Sequence, residues 1–127
     1  MEYPKELKYA KSHEWMKEEG DVIAVGISDF AQDSLGDIVF VNLPEVGDEL
    51  SIGEAFADVE SVKAVSDIFS PVDGVVKEVN EELLDNPALI NEAPYDAWLI
   101  KAESVTNKEE GMDAAAYEAF VIEEAEA

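Results

Sequence analysis

The sequence contains no cysteine and no arginine. The first absence removes disulfides, thiolate metal sites and a cysteine nucleophile together, so any sulfur redox chemistry has to arrive on a cofactor. The second leaves eight lysines against 31 acids and a formal charge of −23. Such a balance repels phosphate backbones and anionic membrane surfaces, which argues against nucleic acid or lipid as a partner. That much acid fits either a salt-rich cytoplasm or an ordinary acidic surface. Long apolar runs are missing too: nothing approaches the ~18 uninterrupted apolar residues of a membrane span. The opening Met1-Glu2-Tyr3-Pro4-Lys5-Glu6 shows neither the apolar stretch of a secretory signal nor the arginines of a transit peptide, and a cytoplasmic protein is expected. Histidine is nearly absent. The one copy, His13, has no second histidine to make a metal pair and reads as a packed surface corner beside Glu14 and Trp15, so no metal site is expected.

What is present suffices for a core. At 127 residues and 47% hydrophobic content, one domain with a short tail is expected over residues 1–127. Val22 to Ile27 alternates, with Ile23, Val25 and Ile27 on one face, as a strand does. Ser28 can cap a short helix that begins with Asp29 and stops at Gly36. Asp37 to Leu43 is apolar on both faces, which suits a strand inside two layers. After the Pro44 to Asp48 turn come short apolar runs at Leu50-Ser51-Ile52-Gly53, at Ala55 to Val59, at Val65 to Ser70 and at Val75 to Val79, and Pro71 to Gly74 reads as a turn. Asn80 can cap a helical turn at Glu81 to Leu84 that Asn86-Pro87 ends. Residues 88–94 read as loop, and Trp98-Leu99-Ile100 within Tyr95 to Lys101 as a last strand. Met112, Ala116, Phe120 and Val121 mark one face of an acidic C-terminal helix over about 111–123, with the final Glu-Glu-Ala-Glu-Ala expected to fray. Short strands separated by regular turns indicate a mostly β sandwich or flattened barrel with small helices appended.

The stretch Glu60-Ser61-Val62-Lys63-Ala64 stands out within this pattern. Gly53 precedes Lys63 by ten positions and Gly74 follows it by eleven, so the turn punctuation is nearly symmetric about the lysine, as in the two halves of a hairpin. A lysine at a hairpin tip contributes little packing and is well placed to carry an attached group. Two plainer readings stand beside that one. Lys63 can be a solvated lysine on a strand, and residues 54–65 can form an amphipathic helix with Phe56, Val59 and Val62 on one face. No glycine-rich phosphate loop, nucleophile with an adjacent base or informative pair of carboxylates is seen.

Three segments carry a resemblance: Ser12-His13-Glu14-Trp15, VGISDFAQDSLGDIVFVNLPEVGD from Val25 to Asp48, and ESVKAVSDIFSPVDGVVKEVN from Glu60 to Asn80. In this order they resemble the H protein family of the glycine cleavage system, carriers related to lipoyl and biotinyl domains, over about residues 9–103. The resemblance implies a flattened barrel-sandwich hybrid of the lipoyl-domain type with short helices and a C-terminal helix. It further implies a non-catalytic carrier with lipoic acid in amide linkage to Lys63. Glu60 matches an acid implied in recognition by the lipoate-attaching enzyme, and Ser12, Glu14 and Asp67 match positions near a cleft that receives the loaded arm. The implied partners are a pyridoxal-phosphate-dependent glycine decarboxylase, a tetrahydrofolate-dependent aminomethyltransferase and dihydrolipoamide dehydrogenase, with the carrier a monomer. The short Asp96-Ala97 link between Tyr95 and Trp98 departs from the family pattern, residues 104–127 match it weakly, and the acidity exceeds it.

Related carriers are the competitors. A biotinyl domain normally flanks its lysine with methionines, where this chain has Val62 and Ala64. Lipoyl domains of 2-oxo-acid dehydrogenases usually show Asp before the lysine. A lipoate relay or storage carrier has the same residues around the arm and stays open on sequence.

Overall fold

A computed structural model of the chain describes residues 1–126. Nine strands fall into two antiparallel sheets. Strands β1 (Lys8–Tyr9), β2 (Glu14–Glu19), β3 (Val22–Ile27), β5 (Glu49–Leu50), β8 (Val72–Val79) and β9 (Ile100–Lys108) form a six-stranded sheet in the order β1-β2-β3-β9-β8-β5. Strands β4 (Ile38–Asn42), β6 (Ala55–Ser61) and β7 (Val65–Phe69) form a three-stranded sheet in the order β4-β6-β7. The helices are α1 (Asp29–Leu35), α2 (Glu82–Asp85), α3 (Leu89–Glu92) and α4 (Ala114–Glu126). The mostly β architecture with short helices and a C-terminal helix is therefore present.

Strand β3 shows why the sheets close as they do. Ile23 and Val25 pack with Val72, Val76, Ile100 and Ala102, whereas Ala24 turns the other way into a cluster with Tyr9, Trp15 and Tyr117. Ile27, at its end, joins Ile38, Val41, Val59, Ile68, Leu83 and Leu99. A short run that is apolar on both faces thus serves three packing regions. Gly26 is required within it: a Cβ there would stand 2.6 Å from ring carbons of Trp15, which lies across from it in register.

Helix α1 forms as its sequence signals indicate. Ser28 accepts from Ala31 N at 3.2 Å, and Gly36 ends the helix at φ 81 with its N–H on Gln32 O. That φ disfavours any residue with a Cβ.

Residues 54–65 are strand and turn, the hairpin reading, and not the alternative helix: Val59 is fully buried and Val62 is exposed. Several other expectations are corrected. Val39 and Phe40 on β4 are exposed, so that strand is covered on one face only. Pro71 to Gly74 does not turn; β8 already begins at Val72. Asn80 does not cap α2; its amide donates to Trp98 O at 2.9 Å, and Glu81 occupies the cap position without a side-chain bond. Within the expected loop at 88–94 lies α3, which buries Ile90. The last strand begins at Ile100, where the expected one was to end, and its partners are β3 and β8. Helix α4 starts at Ala114 and reaches Glu126 instead of fraying after 123, and Ala127 lies outside the described residues. Its inward face is Tyr117 and Val121 with Phe120 beside them, while Ala116 is exposed. The stacked Tyr117 and Tyr9 rings, 4.6 Å apart, fasten the helix to β1.

Candidate functional site

Strands β6 and β7 pair in register up to Glu60 opposite Val65. The tip that joins them is closed by two local bonds, Ser61 N donating to Ala64 O at 2.7 Å and Ala64 N donating to Ser61 Oγ at 3.0 Å, and is tied to the segment before β4 by Val62 N donating to Asp37 O at 3.0 Å. Lys63 projects from this fixed turn and is exposed. Its side chain passes over the end of α1, where a Cβ on Gly36 would stand 3.3 Å from Lys63 Cε. The glycine that stops the helix thereby also leaves a shallow passage for the lysine.

Beyond that passage lies a cleft of about 310 Å³ between α1, β7 and the start of β2, near the lower end of small-molecule sites at roughly 300 Å³. Ile27, Phe30, Ala31, Leu35 and Ile68 give it an apolar lining, and Ser12, His13, Ser66, Asp67 and Glu124 bring polar groups to its edges. Two of the residues singled out from the sequence, Ser12 and Asp67, therefore meet in one cleft. Glu14 does not line it. Its carboxyl lies behind Ser12, buried to 1% exposure, accepting from Ser12 Oγ and, at 3.2 Å, from Phe69 N. Burial pushes its pKa up to about 7, against the opposing pull of those two bonds. Glu60 lies elsewhere, on the outward face of the three-stranded sheet opposite Phe40 and Val65.

His13 has a larger part than a packed corner. It adopts φ 79, its Nδ1 lies 2.7 Å from Tyr117 Oη, and its Nε2 lies 2.9 Å from a Glu124 carboxylate oxygen. A carboxylate only accepts, so Nε2 carries the proton, Nδ1 accepts from the tyrosine, and Tyr117 in turn accepts from Ser28 Oγ at 2.6 Å. Burial lowers the His13 pKa, with Glu124 opposing. This chain ties α4 to the N-terminus of α1 and carries Glu124 to the cleft. Sequence reading missed Tyr117 and Glu124 because they lie some hundred positions from His13; only the aromatic at 117, in a stretch otherwise Ala and Glu, gave a signal.

A hairpin that displays one lysine on a hydrogen-bonded turn, beside a cleft with apolar walls and acidic edges, has the geometry of a carrier domain. The comparisons narrow the class. The model of the glycine cleavage H-protein family matches residues 7–124. Glycine cleavage system H proteins from Lachnoclostridium phytofermentans and Halalkalibacterium halodurans are each 56% identical to the chain, over 94% and 95% of its length and 95% and 97% of theirs. The crystal structure of a glycine cleavage system H protein from Mycobacterium marinum superposes with a TM-score of 0.86 at 41% identity, covering 91% of this chain and 96% of that one. The chain belongs to the glycine cleavage H-protein family, the lipoyl carriers of the glycine cleavage system, and works with the other components of that system.

Proposed function

We propose that Lys63 is the lipoyl attachment residue, and that the chain acts as one non-catalytic carrier domain, a cytoplasmic monomer. It would pass the aminomethyl group of glycine from a pyridoxal-phosphate-dependent decarboxylase to a tetrahydrofolate-dependent aminomethyltransferase, with dihydrolipoamide dehydrogenase restoring the arm. When bound, the lipoyl group supplies the reversible disulfide that a chain without cysteine lacks. The residues present fit such a group. Leu35, Phe30, Ala31, Ile27 and Ile68 offer an apolar bed next to the passage over Gly36, and a carboxylate at Asp67 can hold a cationic nitrogen by a charge-assisted hydrogen bond. Ser12 lies at the edge of the same space and donates from Oγ to the buried Glu14 carboxyl behind it, which holds Ser12 in place there.

The observation that carries the reading is the placement of Lys63, exposed on a hydrogen-bonded tip and lying toward that cleft. Intact mass of protein made with an active lipoate pathway should show one lipoyl addition, absent in Lys63→Arg. An addition that survives in the variant moves the site, and Lys77 on β8 is the next lysine in the chain. Glycine-dependent exchange of carbon dioxide, reconstituted with the decarboxylase, separates the glycine role from a lipoate relay: wild type supports it and Lys63→Arg does not.

A further inference from the structure

Enzymes that act on the far end of a long arm can work at some distance from the protein carrying it. The enzyme that first joins the arm has no such freedom, since its reaction centre must reach Lys63 Nζ. Whatever surrounds that nitrogen is surface this enzyme has to cover.

The surroundings are unusual for so acidic a chain. Val62 and Val65 are 69% and 66% exposed, and Phe40 is 48% exposed. Phe40, Glu60 and Val65 stand opposite one another on β4, β6 and β7. Val41 and Val59, one position along, are buried, so alternation turns this row outward. Two positions further from the tip, Asn42 and Asp58 continue the outward face, with Asn42 Nδ2 donating to Asp58 Oδ1 at 2.8 Å. Among the described residues no ion pair engages Glu60, Asp58 or Lys63. The face thus offers an apolar row around one free carboxylate, with a further acid behind it. A second copy would set these acids against themselves, at −23 per chain. A partner with an apolar seat between basic side chains complements this face.

We propose that this outer face of β4, β6 and β7 is the docking surface for the enzyme that acylates Lys63. It rests on Lys63 being the lipoyl site. In the step it serves, the lysine nitrogen, having lost its proton to solvent, attacks the carbonyl of an acyl adenylate. The amide C–N bond forms, the nitrogen gives up a second proton to solvent, the bond from the acyl carbon to the phosphate oxygen breaks, and AMP leaves with that electron pair.

The test compares apo wild type with a Phe40→Ser/Val65→Ser variant and a control, Val46→Ser/Ile122→Ser, whose positions are equally exposed but lie on the β4–β5 turn and on α4. The kcat/KM for transfer from lipoyl adenylate by a lipoate-attaching enzyme is measured for each, with thermal unfolding as the check on folding. The face variant should lose at least about tenfold, as loss of central interface anchors does, and the control less than about twofold, with midpoints unchanged. Once loaded at high enzyme concentration, all three should be reduced by dihydrolipoamide dehydrogenase at equal rates. Transfer to the face variant within twofold of wild type overturns the proposal, as does an equal loss in the dehydrogenase reaction, which makes the face general to all partners. Sedimentation showing a wild-type dimer that the face variant abolishes assigns the surface to a second copy instead. If wild type takes no acyl group at Lys63, the carrier reading falls and this surface with it; if it does and the variant matches it, only the surface falls.

Discussion

Replacing Glu14 by Gln should change how stability depends on pH, and the sign follows from the direction of the shift. The carboxyl has a pKa near 7 when folded and about 4.5 when free in the unfolded chain. Below pH 4.5 both states hold the proton and the group is neutral in the balance. Between 4.5 and 7 the unfolded chain has lost it while the folded chain keeps it, so folding is progressively disfavoured as the pH rises. Above 7 the loss is complete, at about 3 kcal/mol, from about 1.4 kcal/mol per tenfold in the proton equilibrium. Gln retains the shape of the protonated acid: its oxygen can still accept from Phe69 N, and its amide can donate to Ser12 Oγ. Urea unfolding of wild type and Glu14→Gln at pH 5, 6, 7 and 8 tests this, starting above the pI of about 4.1 to keep the chain charged. The other carboxylates are common to both proteins and cancel in the difference. The variant should gain about 2 to 3 kcal/mol on wild type between pH 5 and pH 8. A stability difference that stays constant across that range would show that Glu14 is already ionised at pH 5 and refute the argument.

Two further substitutions probe the same framework. Tyr117→Phe removes the hydroxyl that joins Ser28 to His13, at a cost of about 1 to 3 kcal/mol for the buried polar atoms left unpaired; urea unfolding measures it. The same variant should raise the His13 pKa, followed by NMR titration, because the tyrosine donates only to the neutral ring, and an unchanged or lower value contradicts the proton assignment. Gly26→Ala places a methyl 2.6 Å from the Trp15 ring and should cost about 1 to 3 kcal/mol through overpacking, together with a change in tryptophan fluorescence. A neutral effect would mean that the ring can shift at no cost.

Local signals were legible where one residue type can satisfy a position. Ser28 and Gly36 bracketed α1 because a cap needs a short oxygen-bearing side chain and the stop needs positive φ. The alternation of Val22 to Ile27 survived because both its faces are buried. The failures lie where tertiary partners decided. Asn80 is a good cap in isolation, but the carbonyl of Trp98 claimed its amide. Val39 and Phe40 looked like core because hydrophobicity records what can be buried, not what a neighbouring layer covers. Ser12 and Asp67 converge where the turn before β2 comes up against β7, tied there by Phe69 N on the Glu14 carboxyl, and their meeting was named from the resemblance alone. The face of α4 was set by Tyr117, whose hydroxyl bonds no periodicity reveals.

A carrier of this kind must combine a mobile arm with an immobile anchor. With Lys63 as the proposed attachment residue, movement of the turn at Ser61 to Ala64 would let the start of the arm wander, and the cleft beside α1 would be found less often. The chain meets that demand at the backbone: two bonds close the turn on itself, and the bond from Val62 N to Asp37 O ties it to the segment entering β4. All freedom is thereby left to the lysine's four methylenes and whatever they carry. The same hydrogen bonding makes the tip a defined surface, which is what the proposed attaching enzyme needs to select one lysine among eight. Val62 and Val65 stand exposed at that tip, and a formal charge of −23 opposes self-association through them. Charge and apolar tip are therefore parts of one arrangement, the first keeping copies of the second apart.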